Sequence, residues 1–207
     1  GQSGPVQLAS RADIDALLDR ASKAAGDHKV PAAFLRAEWD QVVDAWRLRS
    51  WETYRDVQRL GRRTRLPEAR RAVLWTIYER VFAELATRGL TTESAMFQAL
   101  ADAQARRAAP AFDAAVIDEA QDISVAELRF LAALGGNRPN ALFFAGDLGQ
   151  RIFQQPFSWK ALGVDVRGRS KTLRVNYRTS HQIREQADRL LGPEVVDADG
   201  HREDRRH

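Results

Sequence analysis

A short apolar run that ends in two adjacent carboxylates constrains the fold of this chain more than any other feature. Residues 114–117 are apolar, and Asp118 and Glu119 follow them directly. Four apolar residues bounded by charge are typical of a buried strand in a parallel sheet. Ligands of open α/β sheets bind beyond the carboxyl ends of the strands, so one carboxylate is placed to hold Mg²⁺ and the other to orient a water. The alternative is a solvated turn or a helix cap.

Two later stretches repeat this arrangement of an apolar run followed by polar side chains. The run 141–144 leads into residues 145–150, which include Asp147 and Gln150, and a third candidate strand leads into residues 173–179. The carboxyl ends of parallel strands meet at one edge of a sheet. We therefore expect the polar groups of all three stretches to converge there.

Together the three stretches resemble the superfamily 1 helicases of the UvrD/Rep type. Residues 118–122 are similar to the Walker B box of that family, residues 146–153 to its next glycine-aspartate motif, and residues 173–178 to its motif ending in asparagine-tyrosine-arginine. The resemblance is specific over residues 112–191 and looser over residues 30–110. It implies an α/β fold, with a partial RecA-like P-loop NTPase parallel sheet preceded by a helical subdomain. It also implies a parent protein that is an ATP-dependent DNA helicase of 3′-to-5′ type.

The same resemblance divides the chain into three parts. Residues 1–109 correspond to a helical subdomain like the family's 1B insertion, and residues 110–192 to the back half of the first RecA-like domain with Walker B and the later motifs. Residues 193–207 are expected to form a flexible tail. A sheet that lacks its first strands has an unpaired edge, which predicts association or a strand supplied by another chain.

Residues that commonly cap helices precede several segments in which apolar residues recur with the spacing of an α-helix. Ser10, Ser50 and Thr92 are each placed to cap a helix through a side-chain oxygen. After the acidic pair, Asp122 and Ser124 are both candidates for the cap of the next helix. The sequence leaves open whether Asp122 serves the helix or the nucleotide site.

One motif of the helicases is missing from the chain. No Gly-x-x-x-x-Gly-Lys-Ser/Thr occurs, and none of the four lysines follows a glycine-rich turn. A phosphate cradle needs consecutive backbone N–H groups and that lysine, so the chain alone cannot supply one. We therefore expect an internal piece of a larger helicase, inactive by itself, whose parent protein uses ATP and Mg²⁺.

The resemblance implies a role for each polar residue near the first two strand ends. Asp118 would hold Mg²⁺ through water, and Glu119 would orient or deprotonate the attacking water. Gln121 and Asp147 would belong to the nucleotide site. Gln150, whose amide both donates and accepts, would sense the γ-phosphate or the attacking water.

Aromatic and cationic residues of the later motifs receive roles in the same way. Arg178 would act as an arginine finger, and Tyr177 would stack on adenine, unless it is a core tyrosine. Phe157 and Trp159 are candidates for stacking on single-stranded DNA bases. Packing in the core is an equal alternative for these two rings.

An arginine-rich stretch precedes the longest helical pattern. Residues 59–71 hold six arginines, among them Arg62, Arg63 and Arg65. Such a cluster suits contacts with DNA phosphates, and a solvated helix face is the alternative. The implied partners are single-stranded DNA or a single-/double-strand junction, and the remaining helicase domains of the parent chain.

Composition excludes several other kinds of protein. The chain has no cysteine and only four scattered histidines, which excludes a thiolate metal site. Its net charge of +4 is compatible with a polyanion partner. It has no apolar run long enough to cross a membrane and no signal-peptide core, which predicts a cytoplasmic protein with no membrane partner. The rival function is a non-catalytic module that binds nucleic acid or protein through a helicase-like fold.

Overall fold

The computed structural model describes residues 6–57, 66–146 and 157–169, with residues 171, 173 and 177 and the stretches 180–188, 194–196 and 202–204 beyond them. The architecture is mixed α/β and mostly helical, with two small parallel two-stranded sheets. In chain order the elements are β1 (Gln7–Leu8), α1 (Arg11–Ala24), α2 (Ala32–Glu38), α3 (Trp51–Asp56), α4 (Glu68–Thr87), β2 (Leu90–Thr91), α5 (Glu93–Ala105), β3 (Ala115–Ile117), α6 (Val125–Gly135), β4 (Leu142–Phe144), α7 (His181–Asp188), β5 (Glu194–Val196) and β6 (Arg202–Asp204).

The predicted helix caps are confirmed. The side chains of Ser10, Ser50 and Thr92 each accept a hydrogen bond from a backbone N–H in the first turn of α1, α3 and α5. Ser124 caps α6 in the same way, while Asp122 lies one turn earlier in a 3-10 helix. Of the two candidates for the cap of α6, Asp122 and Ser124, it is Ser124 that provides it.

The first core lies among α1 to α4 and is rich in aromatic side chains. Trp39, in a π-helical turn that continues α2, packs 4.9 Å from the Phe82 ring, and Tyr54 stacks on Trp75 at 5.7 Å. Glu38 is fully buried and accepts a hydrogen bond of 3.2 Å from the Tyr54 hydroxyl. These contacts enclose the carboxylate within the helical layer.

The second core forms around β3, β4 and α6. The two strands pair in parallel with Ala115 opposite Leu142 and Ile117 opposite Phe144, which confirms that they are neighbours. Helix α5 packs along α6, where the rings of Phe97 and Phe130 lie 5.9 Å apart. Helix α5, which precedes residue 110, thus packs on a helix of the second core, while the domain boundaries themselves stay a prediction.

The β3–β4 sheet is covered on one face. Val116 and Phe143 lie opposite each other on the second face, where they are 76% and 62% exposed. The expectation of a buried strand is therefore wrong for Val116. The physical reason is that the second core packs on the face carrying Ile117, Leu142 and Phe144, which leaves the other apolar face in solvent.

In the C-terminal part, helix α7 follows the third motif, and the described residues 173 and 177 of that motif are not in a strand. Inside the segment predicted as a flexible tail, β5 pairs with β6 in antiparallel fashion. Among the helices that the structure describes, none has the length and apolar character needed to cross a membrane.

Candidate active site

Backbone hydrogen bonds hold the carboxyl ends of β3 and β4 together. The Ala145 N–H donates to the Ile117 carbonyl, and the Ala120 N–H donates to the Ala145 carbonyl, both at 2.8 Å. Asp118 and Glu119 lie between these two bonds. The acidic pair is therefore at the sheet edge predicted from the sequence, beside the chain that leaves β4 at Gly146.

The backbone of Glu119 has a left-handed conformation, with φ 50° and ψ 43°. This region is sterically unfavourable for a residue with a Cβ and is sparsely populated by glutamate. Two hydrogen bonds of 2.9 Å hold it there, since the Asp118 carboxylate accepts from the Glu119 N–H and the Glu119 carbonyl accepts from the Asp122 N–H. Strain of this kind is concentrated at functional sites.

The side chain of Glu119 is oriented by Gln121. The Gln121 amide nitrogen donates to Oε2 of Glu119 at 2.5 Å. Gln121 is 4% exposed, whereas Glu119 is exposed, so a buried group holds a surface carboxylate. Gln121 thus fixes the position of the Glu119 carboxylate through Oε2.

Gly146 approaches the acidic turn more closely than any side chain would permit. A Cβ at this position would lie 2.6 Å from the side-chain oxygen of Gln121 and 2.9 Å from the backbone nitrogen of Ala120. Real Cβ atoms do not come so close, and the Ala120 nitrogen belongs to backbone that is itself hydrogen-bonded. A glycine directly after an apolar run is a sequence signal for close approach of another backbone segment. The sequence does not show which residues Gly146 approaches.

Replacing Gly146 with alanine is expected to destabilise the chain and loosen the acidic turn. Forced overpacking of this kind costs about 1–3 kcal/mol. Amide hydrogen exchange measured by NMR should show faster exchange of the Ala120 N–H. Gly26→Ala is the matched control, because an added Cβ there meets nothing within 4 Å and only the left-handed backbone (φ 81°) is penalised. Equal Ala120 exchange in both variants would contradict this role.

An open cleft of about 400 Å³ lies beside the acidic turn. Both carboxylates and apolar side chains line it. The lining includes Asp118, Glu119, Asp122, Val116, Phe97 and Phe130. The cleft thus joins the acidic edge of β3 to the exposed face of the sheet.

The carboxylates suit Mg²⁺ only as partial ligands. In the part of the chain that the structure describes, no group of three or more His, Cys, Asp or Glu side chains is arranged to hold a metal ion. Mg²⁺ commonly takes one or two carboxylates and completes its shell with water and substrate phosphates. Oδ1 of Asp118 accepts from the Glu119 N–H, so Oδ2 is the oxygen that fits such a role.

Three aromatic residues with predicted roles differ in exposure. Tyr177 is 93% exposed, so the core alternative is wrong for it. Phe157 is 3% exposed within the second core, which makes its ring inaccessible to a DNA base and corrects that prediction. Trp159 is partly buried with its ring 4.8 Å from Phe144, so it contributes to packing while its role toward DNA stays a prediction.

The remaining predicted site residues lie outside the residues that the structure describes. They are Asp147, Gln150, Arg178, Arg62, Arg63 and Arg65. The described geometry therefore unites Asp118, Glu119 and Gln121 with Gly146. It leaves the predicted γ-phosphate sensor, arginine finger and arginine cluster as predictions.

Comparison with known proteins adds no relative to this picture. No protein-family model, curated protein or solved structure matches the chain. The resemblance to UvrD/Rep-type helicases therefore depends on the three sequence motifs alone.

Proposed function

We propose that this chain is part of an ATP-dependent DNA helicase or translocase of the UvrD/Rep type, and that the end of β3 is its hydrolysis site on a partial RecA-like sheet. The observation that carries the proposal is the Glu119 carboxylate. It follows a parallel strand, is held by the buried Gln121 amide, and lies beside the glycine that follows the neighbouring strand. Polar groups at this edge are where open α/β sheets bind their ligands.

The chemistry assigned to the chain's own residues is proton transfer and charge stabilisation. When bound with Mg²⁺, ATP would supply the phosphoanhydride bond that water cleaves. Oε1 of Glu119 would accept the proton of that water, while the bond from Gln121 keeps the carboxylate in place. Oδ2 of Asp118 would hold Mg²⁺, directly or through water.

The later motifs complete the proposed site. Arg178 would place its guanidinium on the γ-phosphate, Gln150 would sense that phosphate, Asp147 would position Gln150, and the exposed ring of Tyr177 would stack on adenine. Single-stranded DNA is the proposed partner. Its contacts would include the ring of Trp159 and the arginine-rich stretch of residues 59–71.

The 207-residue chain by itself is expected to show no magnesium-dependent ATP hydrolysis, with or without single-stranded DNA, because it contains no phosphate-binding loop. A phosphate-release assay on the purified chain checks this. The same chain carrying Glu119→Gln sets the background. Turnover clearly above that background would contradict the expectation that hydrolysis needs a phosphate-binding loop that this sequence does not contain.

The missing loop also favours a second candidate function. A module that keeps the helicase-like fold without catalysis would bind nucleic acid or protein and would need no phosphate cradle. The reading frame upstream of this segment separates the two. A glycine-rich loop ending in Gly-Lys-Ser/Thr after a predicted strand supports the helicase, and its absence supports the non-catalytic module.

A further inference from the structure

Arg47 lies close enough to Arg49 and to Arg129 for their charges to interact, at the point where Trp46 packs against both cores. Arg47 and Arg49 lie in the segment between the π-helical turn and α3, and Arg129 lies on α6. The Arg129 guanidinium carbon is 5.9 Å from the centroid of the Trp46 ring, and that of Arg49 is 4.0 Å from the centroid of Phe82. We call Arg47, Arg49 and Arg129 the arginine notch.

Arg47 is held in an unfavourable state at the centre of the notch. Its backbone is left-handed, with φ 58°. Its Nε and Nη1 atoms are buried and have no hydrogen-bond partner. A buried donor without a hydrogen-bond partner is unfavourable, and more so when it is charged. The neighbouring Trp46 packs against both cores and so fixes the chain that presents Arg47.

The positive charge of the notch is not balanced by its surroundings. The negative charge of Asp44 attracts the Arg49 guanidinium. Asp44 is buried and accepts a hydrogen bond of 2.8 Å from the Thr92 hydroxyl. Burial raises the pKa of Asp44, an effect that Thr92, Arg49 and Arg47 oppose. Even a fully ionised Asp44 leaves an excess of two positive charges.

Like charges and burial act on the two outer arginines as well. Burial lowers the pKa of Arg49 and of Arg129, and the charge of Arg47 lowers both further. Within the described part of the chain, none of the three arginines takes part in a salt bridge. Binding of an anion beside Arg49 and Arg129 would relieve the repulsion among the three positive charges.

We propose that the arginine notch binds a phosphate of a single-stranded nucleic-acid backbone. A guanidinium presents a planar fork of donors that matches two phosphate oxygens, and the stacks on Trp46 and Phe82 hold two of these forks in place. The net charge of +4 on the chain favours a polyanion over a free anion. None of the three notch arginines is assigned a part in hydrolysis.

Fluorescence anisotropy of a labelled oligothymidine, titrated over a series of salt concentrations, tests the notch. The double variant Arg49→Gln/Arg129→Gln should bind more weakly than the unmodified chain. The slope of log affinity against log salt should flatten by about 0.7 for each phosphate that the variant no longer neutralises. The matched control is Arg88→Gln/Arg167→Gln, which removes the same charge from two arginines that are paired elsewhere, with Glu84 and Asp165.

Folding is monitored by circular dichroism and thermal melting. If the glutamine variant does not fold, Arg49→Lys/Arg129→Lys keeps the charge while removing the forks. That variant should bind more weakly than the unmodified chain with nearly the same salt slope. Lysine-variant affinity equal to that of the unmodified chain would exclude forked recognition.

Several outcomes would overturn the inference. These are equal slopes for the notch and control variants, or no oligothymidine binding by the unmodified chain at low salt. A further such outcome concerns competition by polyglutamate at matched charge. If polyglutamate displaces the oligonucleotide from the unmodified chain but not from the notch variant, the partner of the notch is an acidic protein. The last outcome concerns inorganic phosphate. If phosphate raises the melting temperature of the unmodified chain only, and the variant binds DNA as tightly as the unmodified chain, the notch is a site for a small anion. Because ATP hydrolysis is not measured, the notch and the proposed function can fail separately.

Discussion

Glu119→Gln is expected to lower ATP turnover about 10²- to 10⁴-fold in a protein that joins this chain to a phosphate-binding loop, the range contributed by a positioned general base. The amide keeps the shape of the carboxylate, and its oxygen still accepts the bond from Gln121. It cannot accept a proton from water. ATP affinity, measured with a fluorescent nucleotide, should therefore change little while single-turnover hydrolysis is lost.

Asp122→Asn is the matched control for this experiment. Asp122 is exposed, lines the same cleft and carries the same charge, but lies in the 3-10 turn rather than at the end of β3. It should keep most of the turnover. Near-normal hydrolysis by Glu119→Gln, or an equal loss in the control, would refute the role of Glu119 as the base.

Arg178→Ala is expected to lower turnover still further, by about 10³- to 10⁵-fold, the contribution of an arginine finger to phosphoryl transfer. In the proposed site the guanidinium would stabilise charge that develops on the phosphate oxygens, because its planar fork binds two of them at once. Arg178→Lys should recover only part of the loss, because an ammonium is a point charge.

Arg167→Ala controls for the loss of a positive charge. Arg167 forms a salt bridge with Asp165 and has no assigned role in hydrolysis. Steady-state ATPase assays of the two alanine variants, with single-stranded DNA present, make the comparison. Turnover in Arg178→Ala within a few-fold of that in Arg167→Ala would contradict the arginine finger.

Features governed by local chemistry could be predicted from the sequence. Ser10 caps α1 because its hydroxyl reaches an N–H only three residues away, and that geometry needs nothing from the rest of the chain. The pairing of β3 with β4 was also predictable, because each apolar run is short and each ends in polar residues beyond its carboxyl end. The acidic turn follows from the same pattern.

Features that depend on distant parts of the chain could not be predicted. The sequence shows Phe157 as an aromatic near a motif, and only packing against the second core decides that it is buried. Val116 lies in an apolar run but is exposed, because covering a sheet face requires another element. The approach of Arg129 to Trp46 joins residues that no local pattern connects.

The left-handed backbone of Glu119 restricts which residues evolution could place there. Valine, isoleucine and threonine are excluded sterically, whereas glycine, asparagine and aspartate adopt this conformation at the least cost. Glycine or asparagine at this position would form the same turn at a lower conformational cost but without a carboxylate. The glutamate therefore places an acidic side chain at the end of β3 at the expense of backbone stability.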